Sequence, residues 1–325
     1  MENKALMLNL LDGKIDIQYM NSKCLPLQMD EVRVKVAFSG INYKDRLAMN
    51  PASKVIRNYP MVPGIDFSGL VEESNSSQFN VGEQVFVTGL GYGTDRFGGF
   101  QEYVTVKEND LCKVPDGLSL KEVMQIGTAG FTSALSVEAV SDHGSVLDKD
   151  ILVTGGTGGV SSFAVMILNK IGARITVATR HLENADYLKS IGAHEVILFD
   201  TLLEKRKPLS KEKWDGVIDA TGGEATGNLL TEIRYGGTLA VSGNLSGIKF
   251  NSTVFPFIIR GISLKGIDSV NVKRDEKMTI FNKLAHEWKL KSLDTIIYNE
   301  VKFEDLKEEL LCETHGKGRV LVAFH

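Results

Sequence analysis

Short runs that alternate apolar and polar residues fill the first third of the chain: EVRVKVAFSG at 31–40, EQVFVTG at 83–89 and FQEYVTV at 100–106. Gly, Pro, Asn and Asp separate them, as turns separate β-strands. From about Leu120 the rhythm changes. ILVTG (151–155), ITVAT (175–179), EVILF (195–199), GVIDAT (216–221) and GTLAVSG (237–243) are nearly continuous apolar runs, with helical stretches between most of them. Such an alternation predicts a parallel sheet covered on both faces. After Arg260 come SLKGID (263–268), a charged helix expected over 274–290, IIYNEVKF (296–303), another helix and a last strand, RVLVAF (319–324). A β-rich part, an α/β part and a short mixed tail suit a nucleotide-binding domain inserted into a second domain. The pattern itself leaves open where the tail packs.

Residues 151–173, ILVTGGTGGVSSFAVMILNKIGA, place four glycines (Gly155, Gly156, Gly158 and Gly159) between a strand and a helix whose apolar positions Val160, Phe163, Ala164, Ile167, Leu168 and Ile171 recur at helical spacing. A glycine corner of this kind turns sharply and lets an anion approach backbone N–H groups without Cβ atoms in the way. In a dinucleotide-binding G-x-G-x-x-G fingerprint the glycines serve the turn, the pyrophosphate approach and helix packing. Read from Gly156, the pattern gives Gly158 and then Ser161, a small residue in the third place. A Gly-rich corner without ligand is the competing reading. At the end of the next strand, where an NAD site usually has an acidic residue for the ribose, stand Thr179, Arg180 and His181. A cation there suits a 2′-phosphate and hence NADPH. Alternatively Arg180 caps a turn and Glu183 serves a ribose.

Composition narrows the class. Of 325 residues, 43% are hydrophobic and 24% charged, which is ordinary for a folded two-domain chain. A net charge of −4 offers no footprint for a nucleic-acid backbone. The opening MENKALMLNLLDGKIDIQYM lacks the basic start and apolar core of a signal peptide, and no run reaches the ~20 apolar residues of a membrane span. Cys24, Cys112 and Cys312 form no C-x-x-C pair, so a cytoplasmic home is expected. The six histidines, among them His315 and His325, show no metal spacing.

Six segments in order carry a resemblance that covers nearly the whole chain: SGINYKDRLAM (39–49), YPMVPGIDFSG (59–69), VTGLGYGTDRFGGFQEYV (87–104), IGTAGFTSALSV (126–137), TGGTGGVSSFAV (154–165) and VFPFIIRGISLKGIDSV (254–270). Together they resemble the medium-chain dehydrogenase/reductase superfamily, its zinc-independent quinone oxidoreductase-like branch, and there the YhdH/YhfP group of acrylyl-CoA reductase-like proteins. The resemblance implies an α/β chain with a GroES-like β-rich catalytic domain and a Rossmann domain with a doubly wound parallel sheet. The expected borders are 1–118 for the catalytic domain, 119–262 for the NADPH-binding domain, and 263–325 for the last Rossmann strand and the return to the catalytic domain. Zinc-dependent relatives have Cys and His-Glu where this chain has Asn42 and Ile65-Asp66. Neither asparagine nor isoleucine suits zinc, so no metal is expected. Leu90, Arg96 and Phe97 depart from the group's aromatic and histidine loop, which leaves the substrate open.

The implied reaction is NADPH-dependent reduction of a C=C bond conjugated to a carbonyl. Without zinc, N–H or O–H donors must stabilise the enolate oxygen, and Asn42 and Tyr43 are the candidates; a packing role for the Tyr43 ring is the alternative. Lys44 and Asp45, adjacent opposite charges, read as a local structural feature, and Asp66 as a tether for the active-site loop. By analogy the cofactor is expected to meet Tyr43, Thr157, Gly158, Gly159, Val160, Thr179, Arg180, His181, Asn244, Ile258 and Ser269, although VFPFII also reads as a buried segment that would make Ile258 a core residue. The expected substrate is a small enoyl thioester such as acryloyl-CoA or, alternatively, a quinone or enone; a nonenzymatic NADPH-binding sensor or RNA-binding protein is the third reading. Relatives pair edge strands like SLKGID across a twofold axis, which implies a homodimer.

Overall fold

The computed structural model describes residues 1–312 and 316–324; His315 and His325 lie outside them. The chain divides into two compact units, the first made of Met1–Thr128, Ser269–His286 and the described residues of 296–325, the second of Ala129–Asp268 and Glu287–Thr295.

The first unit opens with a hairpin, β1 (Glu2–Leu11) and β2 (Lys14–Lys23). Asp12 and Gly13 join them with φ of 50° and 77°, the two positive values a tight Asp-Gly hairpin needs. The alternating runs then become β3 (Glu31–Ile41), β4 (Asp66–Ser74), β5 (Gln84–Thr88), β6 (Tyr103–Lys107) and β7 (Cys112–Lys113), with a short helix α1 (Tyr43–Leu47) after β3. Val32, Val34, Val36, Val71, Val85 and Val104 point to one side and form a single core. The 100–106 run becomes a strand only from Tyr103. Gln101 is held instead by the opening hairpin, through the Asn3 amide at 2.8 Å and a bridge to Ala5. Helix α2 (Leu120–Ser141) follows and is broken at Gly127, where φ is 47° and ψ is −155°.

The second unit is built on β8 (Asp150–Thr154), β9 (Arg174–Thr179), β10 (Glu195–Leu198), β11 (Trp214–Asp219), β12 (Ile233–Val241) and β13 (Ser263–Gly266), with helices α3 (Gly159–Lys170), α4 (Ala185–Ser190), α5 (Glu224–Leu230) and α6 (Phe255–Arg260) between them. All pairings are parallel, and the order is β10-β9-β8-β11-β12-β13. The strand order reverses between β8 and β11, so the carboxyl ends of these two strands open the crevice where doubly wound sheets bind nucleotides.

The tail returns to the first unit. Helix α7 (Arg274–Ala285) stops short of the expected residue 290: His286 leaves helical geometry with φ of −127° and ψ of −85°, and Glu287–Thr295 belongs to the second unit. Beyond it, β14 (Ile297–Lys302), helix α8 (Leu306–Leu311) and β15 (Arg319–Ala323) complete a sheet ordered β14-β15-β3-β4-β5-β7, with β6 also on β3. β15 runs antiparallel to β3, Val320 facing Ile41. Among the described residues no helix is long and apolar enough to cross a membrane.

Candidate active site

In the second unit the loop after β8 is the glycine corner. Gly155 and Gly156 have φ of 91° and 53°, and a Cβ on Gly156 would sit 2.6 Å from Thr179 Oγ1, so the backbone lies against the end of β9. Gly158 is the exposed N-cap of α3 and supplies no side-chain cap, which leaves the first-turn N–H groups of Gly159, Val160 and Ser161 for an outside acceptor. Ser161 is buried, and its hydroxyl donates to Thr154 O at 2.6 Å. Serine in the third glycine position therefore ties helix to strand. Thr157 lies half-buried in the same turn. These features fit a dinucleotide pyrophosphate: a concave backbone, a 12-residue helix aimed at it, and no side chain in the way.

The loops after β9 and β12 meet beside this corner. Arg180 is exposed, donates to Ser246 Oγ at 2.9 Å, and lies 5.0 Å from the centroid of the buried Phe199 ring. It is thus held at the strand end with one face stacked. His181 and Glu183 pair at 2.9 Å, which engages the Glu183 carboxylate, and the His181 N–H donates to Thr179 Oγ1 at 3.1 Å. Asn244 is exposed in the turn after β12. Ile258 on α6 is 74% exposed, and Val254, Phe255 and Ile259 around it are exposed too. The reading of VFPFII as a buried segment is therefore corrected: a six-residue helix at the sheet edge buries Pro256 and leaves these side chains on the surface.

One carboxylate at this crevice escaped the sequence reading. Asp219, fully buried at the end of β11, accepts from the hydroxyls of Thr154 (2.6 Å), Thr221 (2.8 Å) and Thr226 (2.6 Å) and from the N–H groups of Thr221 (2.9 Å) and Gly222 (3.1 Å). Five donors stabilise it without a cation and lock β8 to β11 under the glycine corner.

The first unit holds Asn42, Tyr43 and Ser269. Asn42 precedes α1, and Tyr43 opens that helix with its ring 54% exposed and its hydroxyl free of hydrogen bonds among the described residues. Ser269 is buried where the chain re-enters this unit. Asp45 has the structural role expected of the Lys44-Asp45 stretch, through backbone N–H groups and not through Lys44. Asp45 is 1% exposed, and its carboxyl accepts the N–H of Asn42 (2.8 Å), Gly64 (3.1 Å) and Ile65 (3.1 Å), binding the start of α1 to the 64–65 corner. Burial, reinforced by the charge of Asp66, pushes its pKa up to about 7. Asp66 is buried beside it and accepts Gly40 N (3.1 Å), Thr128 N (2.7 Å) and Arg319 Nη2 (3.3 Å). The Arg319 fork also reaches Asn42 Oδ1 at 2.9 Å. Ile65 offers only an aliphatic side chain, and among the described residues no group of three His, Cys, Asp or Glu is placed to hold a metal. Arg96, in the loop that departs from the group's pattern, is tied to Asp110 at 2.5 Å, while Phe97 is exposed.

Residues 28–116 match the alcohol dehydrogenase GroES-like domain, and residues 159–285 match the zinc-binding dehydrogenase family. A Bacillus subtilis protein named as a quinone oxidoreductase, YhfP, is 42% identical over 97% of this chain and 96% of its own length. The solved structure of B. subtilis yhfP with NAD bound superposes with a TM-score of 0.96 at 40% identity, covering 99% of both chains. Acrylyl-CoA reductase AcuI of Ruegeria pomeroyi is 37% identical over 88% of this chain and 87% of its own. The yhdH oxidoreductase of Salmonella enterica in complex with NADP gives a TM-score of 0.93 at 34% identity, with both chains covered completely. With a GroES-like unit, a Rossmann unit in 3-2-1-4-5-6 strand order and this similarity along the whole chain, the protein belongs to the YhdH/YhfP group of the medium-chain dehydrogenase/reductase superfamily, a family of oxidoreductases.

Proposed function

We propose that this chain reduces the C=C bond of a small α,β-unsaturated acyl thioester of the acryloyl-CoA type at the expense of NADPH. The observation that carries the reading is similarity to an acrylyl-CoA reductase over 88% of this chain, joined to an oxidoreductase frame in which the zinc-ligand positions are a hydrogen-bonding Asn42 and an aliphatic Ile65. The glycine corner and the N-terminus of α3 hold the pyrophosphate, and Arg180 meets the 2′-phosphate. The bound nicotinamide supplies a hydride to the β-carbon. Negative charge then collects on the thioester oxygen, where Tyr43 and Asn42 donate hydrogen bonds, and a proton completes the α-carbon. The balance is enoyl thioester, NADPH and H⁺ to saturated thioester and NADP⁺. Deuterium transferred from 4-deuterated NADPH should appear on the β-carbon of the product; label on the α-carbon would overturn the assignment.

Similarity to YhfP favours a second reading, quinone or enone reduction with the same cofactor groups. Supporting a homodimer, β13 has among the described residues a partner on one side only, and Leu245, Ile248, Val254, Phe255, Ile258 and Ile259 give the same unit an exposed apolar surface.

A further inference from the structure

We propose that Arg319 is a positioning residue that fixes the Asn42 amide so that it presents N–H, not C=O, to the substrate oxygen; the inference rests on the donor role proposed for Asn42. An asparagine amide can be turned either way, one side accepting and the other donating. Arginine can only donate and does not lose its proton. At 2.9 Å from Arg319 Nη1, the near atom of Asn42 must therefore be Oδ1. Its Nδ2 then points elsewhere, toward the Asp45 carboxyl and a long 3.4 Å from Gly40 O, and the N–H on that long contact is the one able to turn to a ligand.

The fold makes room for this pair by several coordinated features. Arg319 is 4% exposed on β15, and its Nη2 meets Asp66 Oδ2 at 3.3 Å and Met124 O at 3.4 Å. A Cβ on Gly40 or on Gly127 would run into the guanidinium and the Asp66 carboxylate. Gly127 adopts a left-handed φ of 47° that breaks α2 and turns the Thr128 N–H onto Asp66 at 2.7 Å. A buried ion pair alone is weak support for stability. Here one arm of the fork stays on the carboxylate while the other ends on the amide beside Tyr43. Without Arg319 the amide can turn over and set its carbonyl against the developing negative charge.

A kinetic cycle tests this. Asn42→Ala, the pair Arg319→Met with Asp66→Asn (which avoids stranding a buried charge), and all three changes together are compared for kcat and KM with acryloyl-CoA, for NADPH affinity by titration, and for thermal melting. Asn42→Ala should lower kcat about tenfold or more, the pair should lower it by a similar factor with NADPH affinity within about threefold, and the triple variant should be no slower than Asn42→Ala alone. Losses that multiply in the triple variant, or an unchanged kcat in the pair, overturn the positioning role. If Asn42→Ala itself turns over at the unmodified rate, the donor role of Asn42 is what fails, and the inference falls with it. Should the pair not fold, Arg319→Lys enters the same cycle: it keeps a charge on Asp66 but has no second arm for Asn42, so the same non-additivity is required.

Discussion

Replacing Arg180 with alanine should separate the two nicotinamide cofactors. The guanidinium is exposed, anchored to Ser246 Oγ at 2.9 Å and stacked on Phe199, so it is already oriented before any phosphate arrives. A hydrogen bond to a charged group contributes about 1.5–3 kcal/mol. Solvent exposure and the competing serine lower that figure, and we expect NADPH affinity to fall by about 1–2 kcal/mol, or roughly 5- to 30-fold. NADH has no 2′-phosphate, and its affinity should hold within about twofold. Fold stability should move by no more than ~0.5 kcal/mol, as for most exposed positions. Titration calorimetry with both cofactors at two salt concentrations measures this, and the NADPH advantage of the unmodified protein should shrink as salt rises. Equal affinity of the unmodified chain for NADH and NADPH, or an equal loss of both in the variant, would refute the reasoning.

Tyr43→Phe keeps the exposed ring and deletes the hydroxyl, so steady-state kinetics should show turnover of acryloyl-CoA reduced at least about tenfold while NADPH affinity stays within about threefold; an unchanged rate leaves Tyr43 a packing residue. The folded protein keeps a proton on Asp45 up to about pH 7, while an unfolded carboxyl loses it near 3.8, so the stability this group contributes is full below about pH 4 and is lost as pH rises to 7. Denaturant melts across that window should show the stability advantage over Asp45→Asn shrinking by up to ~4 kcal/mol, and a constant difference would contradict the raised pKa. Light scattering at micromolar concentration should give twice the 35.7 kDa chain mass if β13 pairs with its copy, whereas a monomer mass would show that the edge is unpartnered.

The nucleotide unit was readable because its signals are local. Strand, glycine corner and helix lie within 151–173, and Ser161 could be weighed as a third glycine without knowing its bond to Thr154. The Asp-Gly turn at 12–13 is equally local, an Asp-Gly pair between two alternating runs being a hairpin signal. The cluster behind Asn42 was different in kind. Arg319 comes from a strand at the far end of the chain, and nothing beside it or beside Asp66 marks their pairing. A structural role for Asp45 is legible from its neighbour Lys44, but its partners, the Gly64 and Ile65 N–H groups, are distant in sequence and are not. The VFPFII run shows a further limit: hydrophobicity marks a surface that avoids water but does not say whether the same chain covers it.

Substrate class is tested most directly by NADPH oxidation followed in parallel with acryloyl-CoA, crotonyl-CoA and a naphthoquinone. Enoyl thioester reduction predicts that acryloyl-CoA gives the highest kcat/KM, with propionyl-CoA formed in equal amount to the NADPH consumed. Rapid turnover of the naphthoquinone with neither thioester consumed would contradict it.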